Sequence, residues 1–349
     1  MTFQKNGKKL NIAVVCGGLS SEREVSLKSG QNVYGSLSQE KYNTSFIEIT
    51  SDGRWLLKQS SKSLLPKGER PLALMDQNKG LAESELKTLD LVFLVLHGKY
   101  GEDGRIQSLL DLLQIPYTGS NVLASAIGMD KLKTIALLKN QSIRIPKTIA
   151  LFNQPSNLAD LLKKIQLTLA GFPCVVKPNG SGSSVAVSIV KNKNELMPSI
   201  KKAFNEDSTV LIQKYIRGRE ITCGVWGNSE KTPIEPLPPI EIIVHDEPFF
   251  DYQAKYLSQK TEELCPAPLN KRQTKKVQNL AIKVHTLLGC DGLTRSDFIL
   301  SEKDQQFYFL EINTIPGLTQ ESLCPKEAKA AGLSFSEFLD KQIKLALLK

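Results

Sequence analysis

The stretch that decides the fold reads L-T-R-S-D-F-I-L at residues 293–300 and F-Y-F-L-E-I-N-T-I-P-G-L-T at residues 307–319. Two runs rich in β-branched and aromatic residues, 297–300 and 307–312, flank the polar turn 301–306. Apolar runs of this length on either side of a short polar turn are typical of a β-hairpin. The glycine in the closing segment allows close approach of the backbone to a ligand.

Four polar side chains interrupt these apolar runs. Glu311 and Asn313 are two residues apart, so on a strand they point to the same face, and Arg295 and Asp297 also share a face. Asp297, Glu311 and Asn313 offer hard oxygen ligands of the kind that Mg²⁺ prefers. Charges inside apolar runs are costly to bury unless they are paired or bind metal, so we favour a metal site over a solvated hairpin with charged residues on its outer face.

Length and composition indicate a multidomain globular protein with anionic ligands. The 349 residues suggest two or three domains, and 41% hydrophobic and 23% charged residues are ordinary for a globular chain. A formal charge of +9 suggests nucleic acid or nucleotide phosphates as partners. The basic residues are scattered and no RNA-binding or helix-turn-helix signature is found, so we expect phosphates and no nucleic acid.

The six cysteines argue for a reduced, cytoplasmic protein. They are widely spread and form no C-x-x-C pair, so neither a zinc site nor a disulfide framework is expected. The apolar run 12–16 is too short for the core of a signal peptide. No stretch approaches the length of a membrane span, so we expect no membrane association.

The N-terminal part alternates strands and helices. Residues 12–16 read as a buried strand that ends in a glycine pair, followed by a helix with Ser20 or Ser21 as its N-cap. Residues 42–49 and 89–96 read as further buried strands. This alternation predicts a doubly wound parallel sheet, and the fold class is α/β, with α+β parts further along the chain.

Later segments continue the pattern with less regular connections. We interpret residues 53–88 as a polar insertion and residues 249–268 as a loop. The further predicted elements are, in order, helices at 122–139 and 157–169, strands at 174–177, 185–190 and 210–215, and helices at 271–288 and 334–348.

A glycine- and serine-rich loop follows one of these strands. The sequence K-P-N-G-S-G-S-S-V at 177–185 lets backbone N–H groups face phosphate oxygens, and Lys177 adds a point charge. It lacks the G-x-x-x-x-G-K-[ST] spacing of a Walker site, and a flexible hairpin loop is the alternative. Lys131 is a second candidate phosphate cation, although a lysine on a helix surface is usually just solvated.

The end of the next strand is a candidate site for the base and ribose of a nucleotide. Residues 213–216 end a strand and can present backbone groups to an adenine edge, while Glu220 can accept hydrogen bonds from ribose hydroxyls. An exposed strand end has the same appearance. The glycine pair after the first strand lacks the G-x-G-x-x-G spacing, which disfavours a dinucleotide-dependent oxidoreductase.

Taken together, nine segments resemble the D-alanine–D-alanine ligases of the ATP-grasp superfamily, and they occur in family order over nearly the whole chain. They are G-G-L-S-S-E-R-E-V-S-L (17–27), H-G-K-Y-G-E-D-G (97–104), P-Y-T-G-S (116–120), M-D-K (129–131), V-K-P … G-S-S-V (176–185), F-D-Y-Q-A-K-Y (250–256), C-P-A-P (265–268), R-S-D (295–297) and E-I-N-T-I-P-G-L-T (311–319).

The resemblance implies an ATP-grasp fold of three domains: an N-terminal α/β substrate domain (1–130), a central ATP-grasp subdomain (131–220) and a C-terminal subdomain with a lid loop and the metal hairpin (221–349). It implies that ATP phosphorylates the carboxylate of one D-alanine and that the amine of a second D-alanine displaces phosphate. The product would serve peptidoglycan precursor synthesis and cell-wall formation. A homodimer and two Mg²⁺ or Mn²⁺ ions per site are further implications.

The resemblance also assigns residues to roles. The implied catalytic residues are Glu22, Ser183, Tyr256 and Arg295. The implied D-alanine-binding residues are Glu22, His97, Arg295, Gly317, Ser322 and Leu323. The implied ATP-binding residues are Lys131, Lys177, Gly182, Ser183, Ser184, Gln213, Lys214, Ile216, Glu220 and Lys255. The implied metal ligands are Asp297, Glu311 and Asn313.

Two departures from the family pattern bear on these roles. Gln213 stands where glutamate is frequent, and its carbonyl can still accept a hydrogen bond from adenine. Phe250 precedes the lid aspartate where tyrosine is frequent, so one hydroxyl is lost. Related ligases add D-lactate or D-serine as the second substrate; Tyr256 resembles the D-alanine-adding type, and the lactate-forming relatives differ in this lid.

Two other classes of function are alternatives. A different ATP-grasp ligase would share the metal hairpin but not the segments at 17–27 and 97–104. A nucleotide-binding module without catalysis would lack Arg295 or a metal ligand, and neither is lost here. A basic nucleic-acid binder is a more distant alternative.

Overall fold

A computed structural model describes residues 4–5, 8–60, 71–72, 88–182, 186–229, 231–244 and 261–349. Within these ranges the chain begins with β1 (Gln4–Lys5), β2 (Lys8–Gly17), α1 (Arg23–Ser36), β3 (Tyr42–Ile49), β4 (Trp55–Ser60), β5 (Pro71–Leu72), β6 (Leu91–Leu94), α2 (Arg105–Leu112) and α3 (Val122–Met129). The middle part contains α4 (Lys131–Leu138), β7 (Thr148–Leu151), α5 (Leu158–Leu169), β8 (Cys174–Pro178), β9 (Ser188–Val190), α6 (Lys193–Phe204) and β10 (Val210–Lys214). The last part contains β11 (Gly218–Asn228), β12 (Glu235–Pro236), β13 (Ile240–Val244), β14 (Thr261–Leu264), α7 (Lys271–Leu287), β15 (Asp291–Ser301), β16 (Phe307–Asn313), α8 (Leu323–Ala330) and α9 (Phe335–Leu347).

The first sheet has a parallel centre, as the sequence predicts. Strand β2 pairs in parallel with β3 and with β6. One face of β2 packs against α1 and the C-terminal helix α9, through residues such as Val33, Phe338 and Ile343. The other face packs against α2, through Ile106 and Leu110. Helices on both faces explain why these strands read as unbroken apolar runs.

The interpretation of residues 53–88 as an insertion is wrong at its start. Residues Trp55–Ser60 form a strand that pairs antiparallel with β3, and Pro71–Leu72 pairs with it in turn. Residues 61–70 and 73–87 lie outside the described ranges. Trp55 is buried in the core beneath this edge, which compensates for the weak polar pattern around it.

The loop expected at 249–268 also contains a strand. Thr261–Leu264 pairs antiparallel with β13 and forms the edge of the C-terminal sheet. An edge strand with one neighbour tolerates charged side chains, which is why this short acidic segment does not read as a strand. Residues 245–260 lie outside the described ranges.

Two helix boundaries also differ from expectation. The N-cap of α1 is Glu22 rather than Ser20 or Ser21; Ser20 Oγ donates to the His97 carbonyl at 2.6 Å and accepts from Glu22 N at 3.2 Å. The single helix expected at 122–139 is two helices that meet at Asp130. Asp130 has extended dihedral angles, and its side chain accepts a hydrogen bond from Lys133 N, so it ends one helix and caps the next.

Two antiparallel sheets follow the N-terminal one. The central sheet has the strand order β7-β10-β8-β9, and α5 and α6 cover one face of it with apolar side chains such as Ile165 and Ile200. The C-terminal sheet has the order β14-β13-β11-β15-β16, and α7 covers one face of it with Val277 and Val284. Because side chains alternate along each strand, the faces opposite α5, α6 and α7 carry the polar residues of the site. The domain boundaries at 130/131 and 220/221 stay a prediction.

Two further features of the described residues concern the cysteine side chains and the apolar content of the helices. All six thiols are free, and five of them are buried while Cys265 is half-buried. None of the helices in the described ranges combines the length and the hydrophobicity needed to traverse a lipid bilayer.

Candidate active site

The β15–β16 hairpin brings its four predicted polar side chains together. Arg295 lies opposite Asn313, and Asp297 lies opposite Glu311, just before a bulge in the ladder. Arg295 donates to both carboxylate oxygens of Asp297 at 2.8 Å. Thr222 Oγ1 donates to Asp297 Oδ1 at 2.6 Å, and Asn313 Nδ2 donates to Oδ2 at 3.2 Å. The predicted hairpin is confirmed, and the buried Asp297 is held from three sides.

The charge on Arg295 is secured by this pairing. Burial alone would lower the pKa of the guanidinium, but the charge and hydrogen bonds of Asp297 outweigh it and hold the pKa above its usual range. A bidentate pair of this kind also fixes the orientation of both side chains. Arg295 therefore stays a fixed cation next to the carboxylates of the hairpin.

Two lysines face the same carboxylates from the central part of the chain. Lys131 begins α4, yet its side chain is buried; its Nζ donates to the Ser181 carbonyl at 2.7 Å and lies 3.3 Å from Glu311 Oε2. Lys177, at the end of β8, is also buried. Burial lowers the pKa of Lys177 to about 8, with Glu311 opposing the shift and Lys131 adding to it. The reading of Lys131 as a solvated helix-surface lysine is therefore wrong.

A cavity of about 350 Å³ lies between the central and C-terminal sheets, on the faces opposite α5, α6 and α7. Six of the predicted nucleotide-binding residues line it: Lys131, Lys177, Gln213, Lys214, Ile216 and Glu220. Asp297 and Glu311 lie at the same cavity. The size falls within the range of small-molecule sites, and the mixture of apolar walls with a few charged groups suits a nucleotide.

The apolar walls of this cavity are not evident from the sequence alone. Val175, Ile242 and Leu310 line it but belong to strands in which they alternate with core residues. Their period-two spacing was visible in the sequence, but nothing local told which face meets a ligand. Gln213 is buried, and its Nε2 donates to Thr148 Oγ1 at 2.9 Å, which fixes the side chain at the cavity wall.

Glu22 lies at the N-terminal side of the site, where two glycines approach it. A Cβ atom added at Gly182 would come within 2.5 Å of Glu22 Oε2, and one added at Gly98 within 2.6 Å. The carboxylate is buried between the loop that follows β6 and the loop that follows β8. A side chain at either position would displace the Glu22 carboxylate, and at Gly98 the positive φ of 71° also favours glycine.

His97 holds the backbone of the segment after β16. Its Nδ1 lies 3.0 Å from the Ile315 carbonyl, and its Nε2 lies 3.5 Å from Ser29 Oγ. The buried Glu102, which sequence reasoning missed, accepts hydrogen bonds from Gly98 N and Ile315 N, both at 2.9 Å. Burial and then the nearby Glu22 raise the pKa of Glu102 to about 7. Both side chains therefore bind the backbone of Ile315 and join the two loops.

The predicted residues for the second substrate lie where α8 begins. Ser322 is the N-cap residue, but its Oγ contacts Thr319 N at 3.1 Å and Thr319 Oγ1 at 2.8 Å instead of the N–H groups of the helix. Leu323 is the first helical residue. A Cβ atom added at Gly317 would lie 2.9 Å from Ser322 Oγ, so these residues are neighbours.

Several predicted residues cannot be placed. Ser183, Ser184, Lys255 and Tyr256 lie outside the described residues, as does Phe250. Gly182, the last described residue before Ser183, lies beside Glu22. Their roles stay predictions.

The fold and the cavity together define an ATP-grasp protein. Solved structures with the same architecture cover nearly the whole chain. The D-Ala:D-Ser ligase VanG from Enterococcus faecalis is similar with a TM-score of 0.82 and 34% identity, covering 97% of this chain and 100% of that one. The D-alanine–D-alanine ligase from Bacillus anthracis complexed with ATP is similar with a TM-score of 0.73 and 34% identity, covering 97% of each chain.

The sequence comparisons assign the chain to one family within the ATP-grasp fold. The family model described as D-ala D-ala ligase N-terminus matches residues 11–120, and the one described as D-ala D-ala ligase C-terminus matches residues 137–344. A D-alanine–D-alanine ligase from Bacteroides fragilis is 37% identical over 332 residues, which is 95% of this chain and 97% of that relative. The chain belongs to the D-alanine–D-alanine ligase family.

Proposed function

We propose that this site joins two D-alanines to D-alanyl-D-alanine, with ADP and phosphate as the other products. ATP phosphorylates the carboxylate of the first D-alanine, and the amine of the second attacks the acyl phosphate. The observation that carries the proposal is the common location of two buried lysines and the Arg295–Asp297 pair at one nucleotide-sized cavity. The product is a building block of peptidoglycan, so the enzyme serves cell-wall synthesis.

The cavity holds ATP in this proposal. Gln213, Lys214, Ile216 and Glu220 surround the adenosine, against the apolar wall described above. Lys131, Lys177 and Lys255 bind phosphate oxygens, together with the loop that contains Gly182, Ser183 and Ser184. Phosphoryl transfer depends mostly on positioning and charge neutralisation, which fixed buried cations supply.

The donor set of the hairpin fits Mg²⁺ or Mn²⁺. Asp297, Glu311 and Asn313 offer carboxylate and amide oxygens, which hard divalent cations prefer. No group of three or more His, Cys, Asp and Glu side chains suited to a metal occurs in the described ranges, and the third donor here is an amide. We propose that these residues hold two ions, which neutralise phosphate charge when bound. Thr222 and Arg295 orient Asp297 for this purpose.

The two substrates occupy the end of the cavity toward the N-terminal part. Glu22, with His97 nearby, binds the ammonium group of the first D-alanine. Arg295 and the Gly317 N–H stabilise the oxyanion that forms when the amine attacks. A single donor of this kind contributes about 3–4 kcal/mol to transition-state stabilisation.

The carboxylate of the second D-alanine binds at the start of α8, to Ser322 and the Leu323 N–H. This position combines a hydroxyl group with the positive end of a helix. A lid at residues 249–260, with Tyr256 bonded to Ser183 and Glu22, closes over the acyl phosphate and excludes water. We further propose a homodimer and a cytoplasmic location, where ATP is available and free thiols persist.

A second candidate is the addition of D-serine, since VanG, named as a D-Ala:D-Ser ligase, is similar over 97% of this chain. The two activities differ in the second substrate alone. Phosphate release from ATP with Mg²⁺ should be measured with D-alanine, L-alanine, D-alanine plus D-serine, and D-alanine plus D-lactate, with products identified by mass. Release with D-alanine alone, matched by D-alanyl-D-alanine, is expected; a mixed dipeptide as the main product would favour the second candidate.

The Arg295→Ala variant tests the assignment of the oxyanion site. It should lower kcat about 10²–10³-fold, while the affinity for ATP changes much less. An unchanged kcat would remove Arg295 from that role. The exposed Lys329→Ala change on α8 serves as a control and should leave both quantities as they are.

A further inference from the structure

Glu327 is a carboxylic acid that no part of the mechanism uses, and it is completely buried. It lies on α8 with an exposed fraction of 0%. Both of its oxygens lie 3.0 Å from the backbone nitrogen of Gly224 in β11. A Cβ atom added at Gly224 would overlap Glu327 Oε2 and would come within 2.8 Å of Leu237 Cδ1. The missing side chain at Gly224 therefore forms the notch that the carboxyl group fills.

This notch lies beside Arg295, on the same face of the C-terminal sheet, because directly paired residues on neighbouring strands point to one face. Gly224 is the cross-strand partner of Arg295 in the β11–β15 ladder. Burial raises the pKa of Glu327 to about 8, although the Gly224 N–H and Arg295 oppose the shift. The acid is therefore mostly neutral at pH 7, and Asp297 remains the carboxylate paired with Arg295. A neutral acid can still accept the hydrogen bond from Gly224.

Glu327 also lies one helical turn after the residues that begin α8. Leu323 and Glu327 are four residues apart and share the buried face of the helix. The helix has only eight residues, and the side chain of Ser322 makes no capping bond to it. The hydrogen bond from Gly224 N to the Glu327 carboxyl group thus links α8 directly to β11, the strand paired with that of Arg295. We refer to this hydrogen bond as the tie.

We propose that Glu327 is a positioning residue, which ties α8 to β11 and so sets the location of Ser322 and Leu323 for the carboxylate of the second D-alanine. The inference rests on the proposed assignment of that carboxylate to the start of α8. Loss of the tie should weaken binding of the second D-alanine more than binding of ATP or of the first D-alanine. The Gly224 N–H would at the same time lose its buried acceptor.

The test compares three variants in steady-state kinetics. Glu327→Met keeps the length of the side chain but removes the acceptor, and Glu327→Gln keeps an acceptor that cannot ionise. Lys329→Met makes the same chemical replacement on the exposed face of the helix. We expect Glu327→Met to raise KM for the second D-alanine about tenfold, with KM for ATP and for the first D-alanine within about twofold. Glu327→Gln and Lys329→Met should stay near the parent enzyme.

Equal changes in all three KM values, no change, or a Glu327→Gln variant as impaired as Glu327→Met would overturn the inference. If Glu327→Met does not fold, Gly224→Ala provides a second test, because the added methyl group would displace the carboxyl group of Glu327. This variant should also raise KM for the second D-alanine selectively. An unchanged KM in Gly224→Ala would count against the proposal. Ser322→Ala tests the proposed carboxylate site separately from the positioning role of Glu327. If it leaves KM for the second D-alanine unchanged, the proposed carboxylate site itself is wrong.

Discussion

The carboxylate of Glu311 interacts with several charged side chains of the site. It lies opposite Asp297 in the hairpin and 3.3 Å from Lys131 Nζ, and its charge opposes the lowering of the Lys177 pKa by burial. A carboxylate so placed can bind a cation on one side while lysines bind the phosphates that the cation accompanies. Removing its charge should disturb both functions.

We expect Glu311→Gln to weaken binding of the divalent metal at least about tenfold and to reduce turnover strongly, since an amide oxygen is a poorer ligand than a carboxylate. Direct Mn²⁺ binding, followed by electron paramagnetic resonance, and the Mg²⁺ dependence of kcat check this. Glu302→Gln, in the exposed turn of the same hairpin, is the matched control. Parent-like Mn²⁺ binding in Glu311→Gln would remove it from the metal site.

Glu327 leads to a prediction on pH and stability. Its pKa is raised by burial from 4.5 to about 8, so between these values the folded protein binds a proton that the unfolded chain has lost. The free energy of unfolding should therefore fall as pH rises through this window, by up to about 1.4 kcal/mol per pH unit from this group. The free energy of unfolding in urea should be measured for the parent and for Glu327→Gln at about pH 5, 6.5 and 8. The stability of the variant relative to the parent should increase as pH rises.

The control for the pH experiment is Glu206→Gln, which changes an exposed carboxylate. Its stability should follow the parent at each of these pH values. Parallel curves for Glu327→Gln and the parent would mean that Glu327 is ionised in the folded state throughout, against the effect assigned to burial.

At the scale of secondary-structure elements, the junction of α3 and α4 is held by contacts with a distant part of the chain. Asn179, at the end of β8, donates from Nδ2 to Asp130 Oδ1 at 2.9 Å and accepts at Oδ1 from Leu132 N at 2.8 Å. These bonds hold the start of α4, and the first residue of α4 is Lys131. The break between the two helices thus turns the lysine into the cavity.

We expect Asn179→Ala to reduce stability by about 1 kcal/mol and to raise KM for ATP severalfold, because the start of α4 loses its tie to β8. Asn192→Ala is the matched control, since Asn192 caps α6 through a bond to Asn194 N. Its stability loss should be similar, without an effect on KM. Equal KM values for both variants would show that the junction does not position Lys131.

At the scale of the whole molecule, the site depends on the meeting of separate parts of the chain. The cavity lies between two sheets, and the loops after β6 and β16 meet at the backbone of Ile315. The C-terminal helix α9 packs against the N-terminal sheet through Phe338 and Ile343. A ligand that fills the cavity contacts both ATP-grasp sheets and should stabilise the whole fold.

Mg²⁺ with a non-hydrolysable ATP analogue at about 100 times its Kd should therefore raise Tm by roughly 4 °C, corresponding to about 2.7 kcal/mol of binding free energy. Adenosine, which lacks the phosphates, should give a smaller shift. Lys177→Met should reduce the shift with the analogue but leave that with adenosine in place. The absence of any shift with the analogue would mean that the cavity is not the nucleotide site.

Local patterns in the sequence determined the hairpin, the parallel centre of the first sheet and most helices. Each depends on side-chain periodicity or capping within a few neighbouring residues, as at Ser334, whose side chain caps α9 together with Glu337. The period of two in β15 is enough by itself to place Arg295 and Asp297 on one face. The family resemblance rested in the same way on short segments in a fixed order.

Only the tertiary structure decided which polar groups those faces meet. The break at Asp130 depends on Asn179, 49 residues away, and both ring nitrogens of His97 point to groups on distant segments. The burial of Glu327 depends on a glycine 103 residues earlier in the chain. Hydrogen bonds and burial of this kind arise when separate elements pack, so neither periodicity nor composition contains them.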